Sequence, residues 1–326
     1  MRTRRIATAL LVAVLLVAAC AADEGTSTTE RAADPTTTSS TSTTTTTAPT
    51  TTTITVPAAP RAVEPAADPV ELAAGIVEAE RITRDPASPL PDVQAAAFEL
   101  QQFYRQLGRA PDWDAAVLEA VPDDLRTTVR ANTTARRQFR SMHRTLSDTL
   151  PPWRIVDPPP AEELLSYYRE AEAEFGVPWE VLAAVNLVET GMGRIRGTSV
   201  AGAQGPMQFM PATWEAFGAG GDINDPHDAI FGAARYLAHN GGGRGDIDTA
   251  LWNYNHSDRY VEGVKQYAAV MAEDPAAFNG FYHWQVVYLS TSGDVWLPSG
   301  FEQLERIPVT DYVAANPDHH LGTDTA

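Results

Sequence analysis

One cysteine, Cys20, stands in 326 residues. It cannot close an intramolecular disulfide, and there is no Cys-rich set to hold zinc. The seven histidines are scattered, with no H-E-x-x-H and no pair at ligand spacing. His319-His320 fall in a polar tail, where solvation is their ordinary state. Nothing in the chain calls for a metal or a cofactor. Positive charge is also short: 24 Lys and Arg against 42 Asp and Glu give a net charge of −18, and Lys265 is the only lysine. That balance excludes the broad basic surface a nucleic-acid binder needs. Two glycine-bearing stretches lack the residues that would make them functional. Gly241-Gly242-Gly243-Arg244-Gly245 has no Lys-Ser/Thr pair for a phosphate loop and reads as a helix stop. Gly197-Thr198-Ser199-Val200-Ala201 lacks the second glycine and the preceding strand of a nucleophile elbow.

What is present falls into five stretches. Residues 1–20 have the pattern of a secretion signal: Arg2, Arg4 and Arg5, then an apolar run at 6–19 too short for a comfortable membrane span. Residues 21–69 are rich in Thr, Ser and Pro with few apolar side chains, the composition of a disordered linker. Residues 70–155 show helical spacing at 71–84, 93–107, 113–120 and 123–150, with breaks at prolines and glycines. The last of these carries Arg126, Arg130, Arg136, Arg137, Arg140 and Arg144, either a solvated face paired with nearby acids or a contact for an anionic polymer. Residues 156–278 predict further helices at 162–175, 179–190, 211–217, 229–240 and 258–271. Asp225 and Pro226 open one of them, and Asp248 caps another. Residues 279–326 hold a β-hairpin pattern around 284–297 and a polar tail from Asn316, expected to be loose. The hairpin aromatics either pack onto the helical body or line an outer subsite of a binding groove. The expected fold class is mainly α: a helical accessory region, a helical catalytic-type domain and a small C-terminal hairpin.

Residues 179–211 organise the chain. Val181, Leu182, Val185 and Val188 recur at helical steps behind Pro178, and Gly191 and Gly193 stop the helix just after Glu189. A Gly- and Ala-rich loop follows, ending in Met207-Gln208-Phe209-Met210 before Pro211 opens another helix. A carboxyl group at the edge of a buried helix is desolvated. Its pKa rises, and it becomes competent as a general acid near neutral pH.

Glu189-Thr190, the S-x-A-G-A-x-G-x-x-Q-F-M-P run from Ser199 to Pro211, and Tyr254-Asn255 together resemble the lytic transglycosylases of bacterial cell walls. The resemblance covers roughly residues 162–271 and implies a lysozyme-like catalytic domain. It also implies a reaction on peptidoglycan glycan strands. Glu189 would protonate the glycosidic oxygen between MurNAc and GlcNAc, with help from the N-acetyl group. As a carboxylate it would then take the C6 hydroxyl proton, so that a 1,6-anhydro end forms without water. The resemblance further implies that Ser199 and Gln208 lie near the reacting sugar and that Met207 and Phe209 wall the groove. Tyr254 would hydrogen-bond the acid, with Asn255 beside it, and Tyr236 would line the cleft.

The match has departures. Many relatives carry Glu-Ser where this chain has Glu189-Thr190, and the residues after Asn255 depart from the usual A-Y-N-x-G. Val17-Ala18-Ala19-Cys20 resembles the lipobox of bacterial lipoproteins, which implies lipidation of Cys20 and membrane anchoring facing the wall. Two rivals stand beside the transglycosylase: a muramidase of the same fold that uses water, and an inactive wall-binding protein.

Overall fold

The computed structural model describes residues 60–322. The signal pattern, Cys20 and all but the end of the linker lie outside the described residues. Two glutamines of a later helix hold the first described stretch: Gln102 accepts from Val63 N, and Gln106 accepts from Ala66 N, both at 3.0 Å.

Asp68 caps helix α1 (Pro69–Arg84) by accepting from the backbone of Val70 and Glu71. Its buried face, Leu72, Ile76 and Ala79, packs on α2 (Leu90–Arg109). A 3-10 turn leads to the short α3 (Asp114–Ala120), and α4 (Asp123–Met142) follows. The helix expected over 123–150 therefore ends eight residues early. Ser147 explains part of this, because its hydroxyl accepts from Thr149 N at 3.0 Å and donates to Thr149 O at 2.8 Å. Side-chain bonds of this kind offer the backbone an alternative to helix. The chain goes on into two short strands, β1 (Thr149–Leu150) and β2 (Arg154–Ile155).

The next helices follow the sequence pattern closely: α5 (Ala161–Phe175), stopped by Gly176, and α6 (Trp179–Thr190), stopped by Gly191 at φ 62°. Strand β3 (Ile195–Arg196) pairs antiparallel with β2. Then come α7 (Pro211–Phe217), α8 (Pro226–His239), α9 (Ile247–Tyr254) and α10 (Asp258–Glu273). Asp225 caps α8 as expected, accepting from Asp228 N. The cap of α9 is Asp246 and not Asp248. Asp246 accepts from Thr249 N, while Asp248 lies inside the helix and pairs with Lys265 at 2.6 Å.

Helix α11 (Ala277–His283) is too short to show a period in sequence. The hairpin forms as β4 (Val286–Ser290) and β5 (Gly293–Leu297), in the register Val286↔Leu297 to Ser290↔Gly293. Trp296 meets Phe98 of α2 at 4.9 Å, so this hairpin aromatic packs onto the helical body. Strand β6 (Ile307–Pro308) pairs with β1, and α12 (Val309–Ala315) follows. The described part of the tail, residues 316–322, is not loose. Leu321 N donates to Asp294 O and Asp294 N to Gly322 O, both at 2.9 Å, so the tail covers the open edge of β5. His319 lies against Tyr312 Oη, and His320 Nε2 lies 2.8 Å from Ser292 O, which draws both rings out of bulk water.

The described residues are mainly α, with strands only in antiparallel pairs. Their core does not divide at residue 155. One cluster runs from Leu72 and Ile76 through Tyr104 and Val129 to Leu182, Val185, Leu237, Leu251, Val264 and Phe281. Helix α4 lies along α10, and Gly263 makes the approach possible: a Cβ there would sit 2.5 Å from the Phe139 ring. A smaller cluster under the hairpin joins Leu150, Trp153, Ile155, Tyr288, Leu297 and Phe301. Among the described residues, no helix is long and apolar enough to cross a membrane.

Candidate active site

Helix α6 is buried almost all round, from Trp179 to Thr190, because its apolar residues face α5, α8 and α10 together. Glu189 is carried into that interior by the helix and keeps only 5% of its surface. Burial raises its pKa to about 7, and a hydrogen bond from Tyr260 opposes part of the rise. The side chain is thus shared between acid and carboxylate forms near neutral pH, as a group that must give a proton and later take one requires.

The Gly-rich loop is fixed to the end of α6. The Thr190 hydroxyl donates to Pro206 O at 2.6 Å and accepts from Gly193 N at 3.0 Å. The hydroxyl that Thr190 shares with serine therefore has a structural use. Gly205, at φ 74°, passes so close to the Ile223 carbonyl that any side chain would collide with it. Paired backbone bonds between Gln204 and Phe209 close a tight turn, which holds Gln208 at φ 50°. A non-glycine residue in this region is strained, and such strain persists where surrounding contacts over-determine it. Gln208 is buried, its Nε2 donates to Gly205 O at 2.9 Å, and its Oε1 has no partner among the described residues.

The other expected site residues have mixed placements. Ser199 closes its own turn, its hydroxyl accepting from Ala203 N at 2.8 Å. Met207 is fully buried, and Phe209 packs on Trp214 and Tyr254. Tyr236 donates to Asn253 O at 2.8 Å and meets the Tyr254 ring edge-on, and Asn255 is buried at the end of α9.

Tyr254 is not the residue that hydrogen-bonds the acid. Its hydroxyl donates to Met207 O at 2.6 Å, tying α9 to the loop. The donor to Glu189 is Tyr260, whose hydroxyl lies 2.7 Å from Glu189 Oε1. The reason is geometric: Tyr254 sits in the last turn of α9 and faces the loop, while Tyr260 sits in the first turn of α10, which packs on α6. A sequence signal for Tyr260 existed. It heads the series Tyr260, Val264, Tyr267 on the inner face of α10, and a buried tyrosine needs a partner for its hydroxyl.

A cavity of about 190 Å³ opens beside Glu189. Glu189 is the only carboxylate among the described residues that line it. Asp225 and Asp228 are occupied elsewhere, the first as a cap and the second accepting from Asp222 N. One wall of this cavity comes from well before the Glu189 helix: Gln101 and Arg105 of α2, Arg136 and Phe139 of α4, and His143.

Residues 166–274 match the transglycosylase SLT domain family. A transglycosylase of Enterobacteria phage PRD1 is 26% identical over 144 residues, which cover 44% of this chain and 54% of the phage protein. The chain therefore spans about half the length of that curated relative. No solved structure matches. Glu189, the loop that Thr190 ties down, and both tyrosines lie inside the matched span. The segment that buries this lone acid at a helix end is thus the part of the chain that matches the transglycosylase SLT domain family.

Proposed function

We propose that the protein is a lytic transglycosylase that cleaves the MurNAc-GlcNAc bond of peptidoglycan glycan strands, with Glu189 as general acid and then general base. The observation that carries the reading is the buried Glu189, with a pKa near 7 and no second carboxylate lining its cavity among the described residues. A hydrolase that works through two carboxylates needs an opposed acid and base or nucleophile. A transglycosylase needs one group that changes role. Protonated Glu189 gives its proton to the glycosidic oxygen, and the C1–O bond breaks. The C6 hydroxyl of the muramic residue then closes on C1 and returns its proton to Glu189. The enzyme ends as it began, and the sugar ends as a 1,6-anhydride.

Gln208 supports the same reading. Its Oε1 is an acceptor without a partner among the described residues, of the kind an acetamido N–H would satisfy. Attachment of the chain to a membrane through Cys20, with the domain facing the wall, is part of this proposal and rests on the sequence pattern alone. The test is digestion of purified peptidoglycan followed by mass analysis of the fragments. Wild-type protein is expected to leave 1,6-anhydro ends, and Glu189→Gln to lose on the order of 10²–10⁴-fold in rate. Ordinary reducing ends would make the reaction hydrolysis, and near wild-type cleavage by Glu189→Gln would remove the acid assignment.

A further inference from the structure

The cavity beside Glu189 shares Arg105, Arg136 and His143 with a second one of about 280 Å³. That second cavity is lined by five arginines: Arg105 and Arg109 of α2, and Arg136, Arg137 and Arg140 on α4. No carboxylate is among the described residues that line it. Two acids that do not line the cavity pair with three of these arginines. Asp294 of the hairpin, 1% exposed, takes Arg105 and Arg109, and Asp114 takes Arg137 through both of its oxygens, at 2.7 and 2.8 Å.

In a chain of net charge −18, five guanidiniums are gathered on one cavity. His143 registers the same field. Burial first, and then Arg136, Arg140 and Arg105, push its pKa down to about 4, so it stays neutral between the guanidiniums. Planar guanidiniums in a partly enclosed cavity suit the planar, two-oxygen geometry of a carboxylate.

We propose that this arginine-lined cavity binds a carboxylate carried by the glycan strand, so that helices ahead of the matched domain select substrate by its charge. The inference rests on the reading of Glu189 as the acid of a glycan-cleaving site, because it makes the two adjoining cavities parts of one substrate groove. Two sources offer the same chemistry. One is the carboxylate of the lactyl ether on a muramic residue without a peptide, and the other is a carboxylate of an attached peptide.

Binding separates this proposal from the catalytic one. Full-length Glu189→Gln protein, which holds strands without cleaving them, would be titrated calorimetrically with three soluble glycan fragments. The first bears peptides. The second has been stripped of peptides, which frees the lactyl carboxylates. The third is the peptide-bearing fragment with its carboxylates converted to amides. The fragment that carries the bound carboxylate is expected to bind about tenfold or more tighter than the amidated one, the usual worth of a charge-assisted contact. Adding Arg136→Gln and Arg140→Gln should cost a similar factor with the carboxylate ligands and little with the amide. Arg136→Lys with Arg140→Lys, which keeps the charge, should retain most of the discrimination and serves if the glutamine variant folds poorly.

The stripped fragment assigns the carboxylate: binding tighter than the peptide-bearing one points to the lactyl group, weaker binding to the peptide, and equal binding to a site that accepts either. Equal affinity for all three fragments overturns the proposal, even if wild-type protein cleaves strands normally. So does an equal loss for all three ligands in the variants. Discrimination by charge without any cleavage by wild type would instead overturn the transglycosylase reading and leave the anion site standing.

Discussion

Tyr260 and Glu189, 71 residues apart in sequence, meet through a hydrogen bond of 2.7 Å in which the phenol donates to the carboxyl. The phenol is itself held in its neutral form, because burial and the nearby Glu189 charge push its pKa well above the ordinary value. It can therefore donate whether Glu189 is charged or not, and it favours the charged form. Burial and Tyr260 act in opposite directions on the same proton, and the balance leaves Glu189 near 7. The Tyr254 ring lies parallel to that of Tyr260, 4° apart with centroids at 6.4 Å, and braces it from the loop side.

Tyr260→Phe removes the donor and leaves the ring. The pKa of Glu189 should then rise further, since only burial remains. The alkaline limb of kcat/KM should move to higher pH, and the maximal rate should fall roughly tenfold or more, because the carboxylate formed in the first step loses its donor. Tyr254→Phe should leave that limb in place, as its hydroxyl serves Met207 O. A pH–rate profile of each variant decides it: an unmoved limb in Tyr260→Phe would show that the bond does not tune the acid.

The same proton links activity to stability. Glu189 ionises at about 7 in the folded protein against an ordinary 4.5. Between those values the folded state holds a proton that the unfolded state has lost. Stability therefore falls as pH rises through this window and levels off above it. The whole effect amounts to about 3 kcal/mol. Glu189→Gln has no such proton. It should match wild type near pH 4 and exceed it by up to about 3 kcal/mol at pH 8. Urea unfolding at the two pH values measures the difference, and equal stability at pH 8 would mean that the carboxylate is far better solvated than its burial indicates.

Helix α4 owes its position to Gly263. In Gly263→Val the new side chain would meet the Phe139 ring, and overpacking of this kind costs about 1–3 kcal/mol. Phe139→Leu should recover part of the loss when combined with it, and a double-mutant cycle should show coupling of at least about 0.5 kcal/mol. Simple addition of the two effects would place the strain elsewhere.

Helices with a clear period or a strong stop could be read closely from the sequence. Helix α6 shows why: Pro178 opens it, valines and leucines space it, and Gly191 ends it, so Glu189 had one place to be. The loop after it was legible in its glycines, since Gly205 has a neighbour that tolerates nothing larger. What escaped the sequence depended on contacts between distant segments. Past Met142, Ser147 offers the chain an alternative to helix by binding the backbone of Thr149, yet serine and threonine also occur inside helices. The cap of α9 falls on Asp246, two residues before the expected Asp248, which lies inside the helix and pairs with the distant Lys265. The exchange of Tyr254 for Tyr260 turned on the direction each helix faces. The wall that α2 and α4 supply was hidden most deeply, because Arg136, Arg137 and Arg140, which line a cavity, share one run of sequence with Arg126, which pairs with Asp123 at the surface.

The bond from Arg105 Nε to Asp294 Oδ2, at 2.8 Å, joins residues on opposite sides of the stretch 166–274, 189 positions apart. Its consequence concerns inheritance. A recombination event, or an engineer, that exchanged the central stretch alone would carry across Glu189 and leave behind the helix and the hairpin that fix the arginine wall. Exchange of one flank without the other would strand a buried aspartate or its guanidinium partners. The two flanks can therefore change sign only together, and a chimera that respects this pair has its natural seams outside residues 105 and 294.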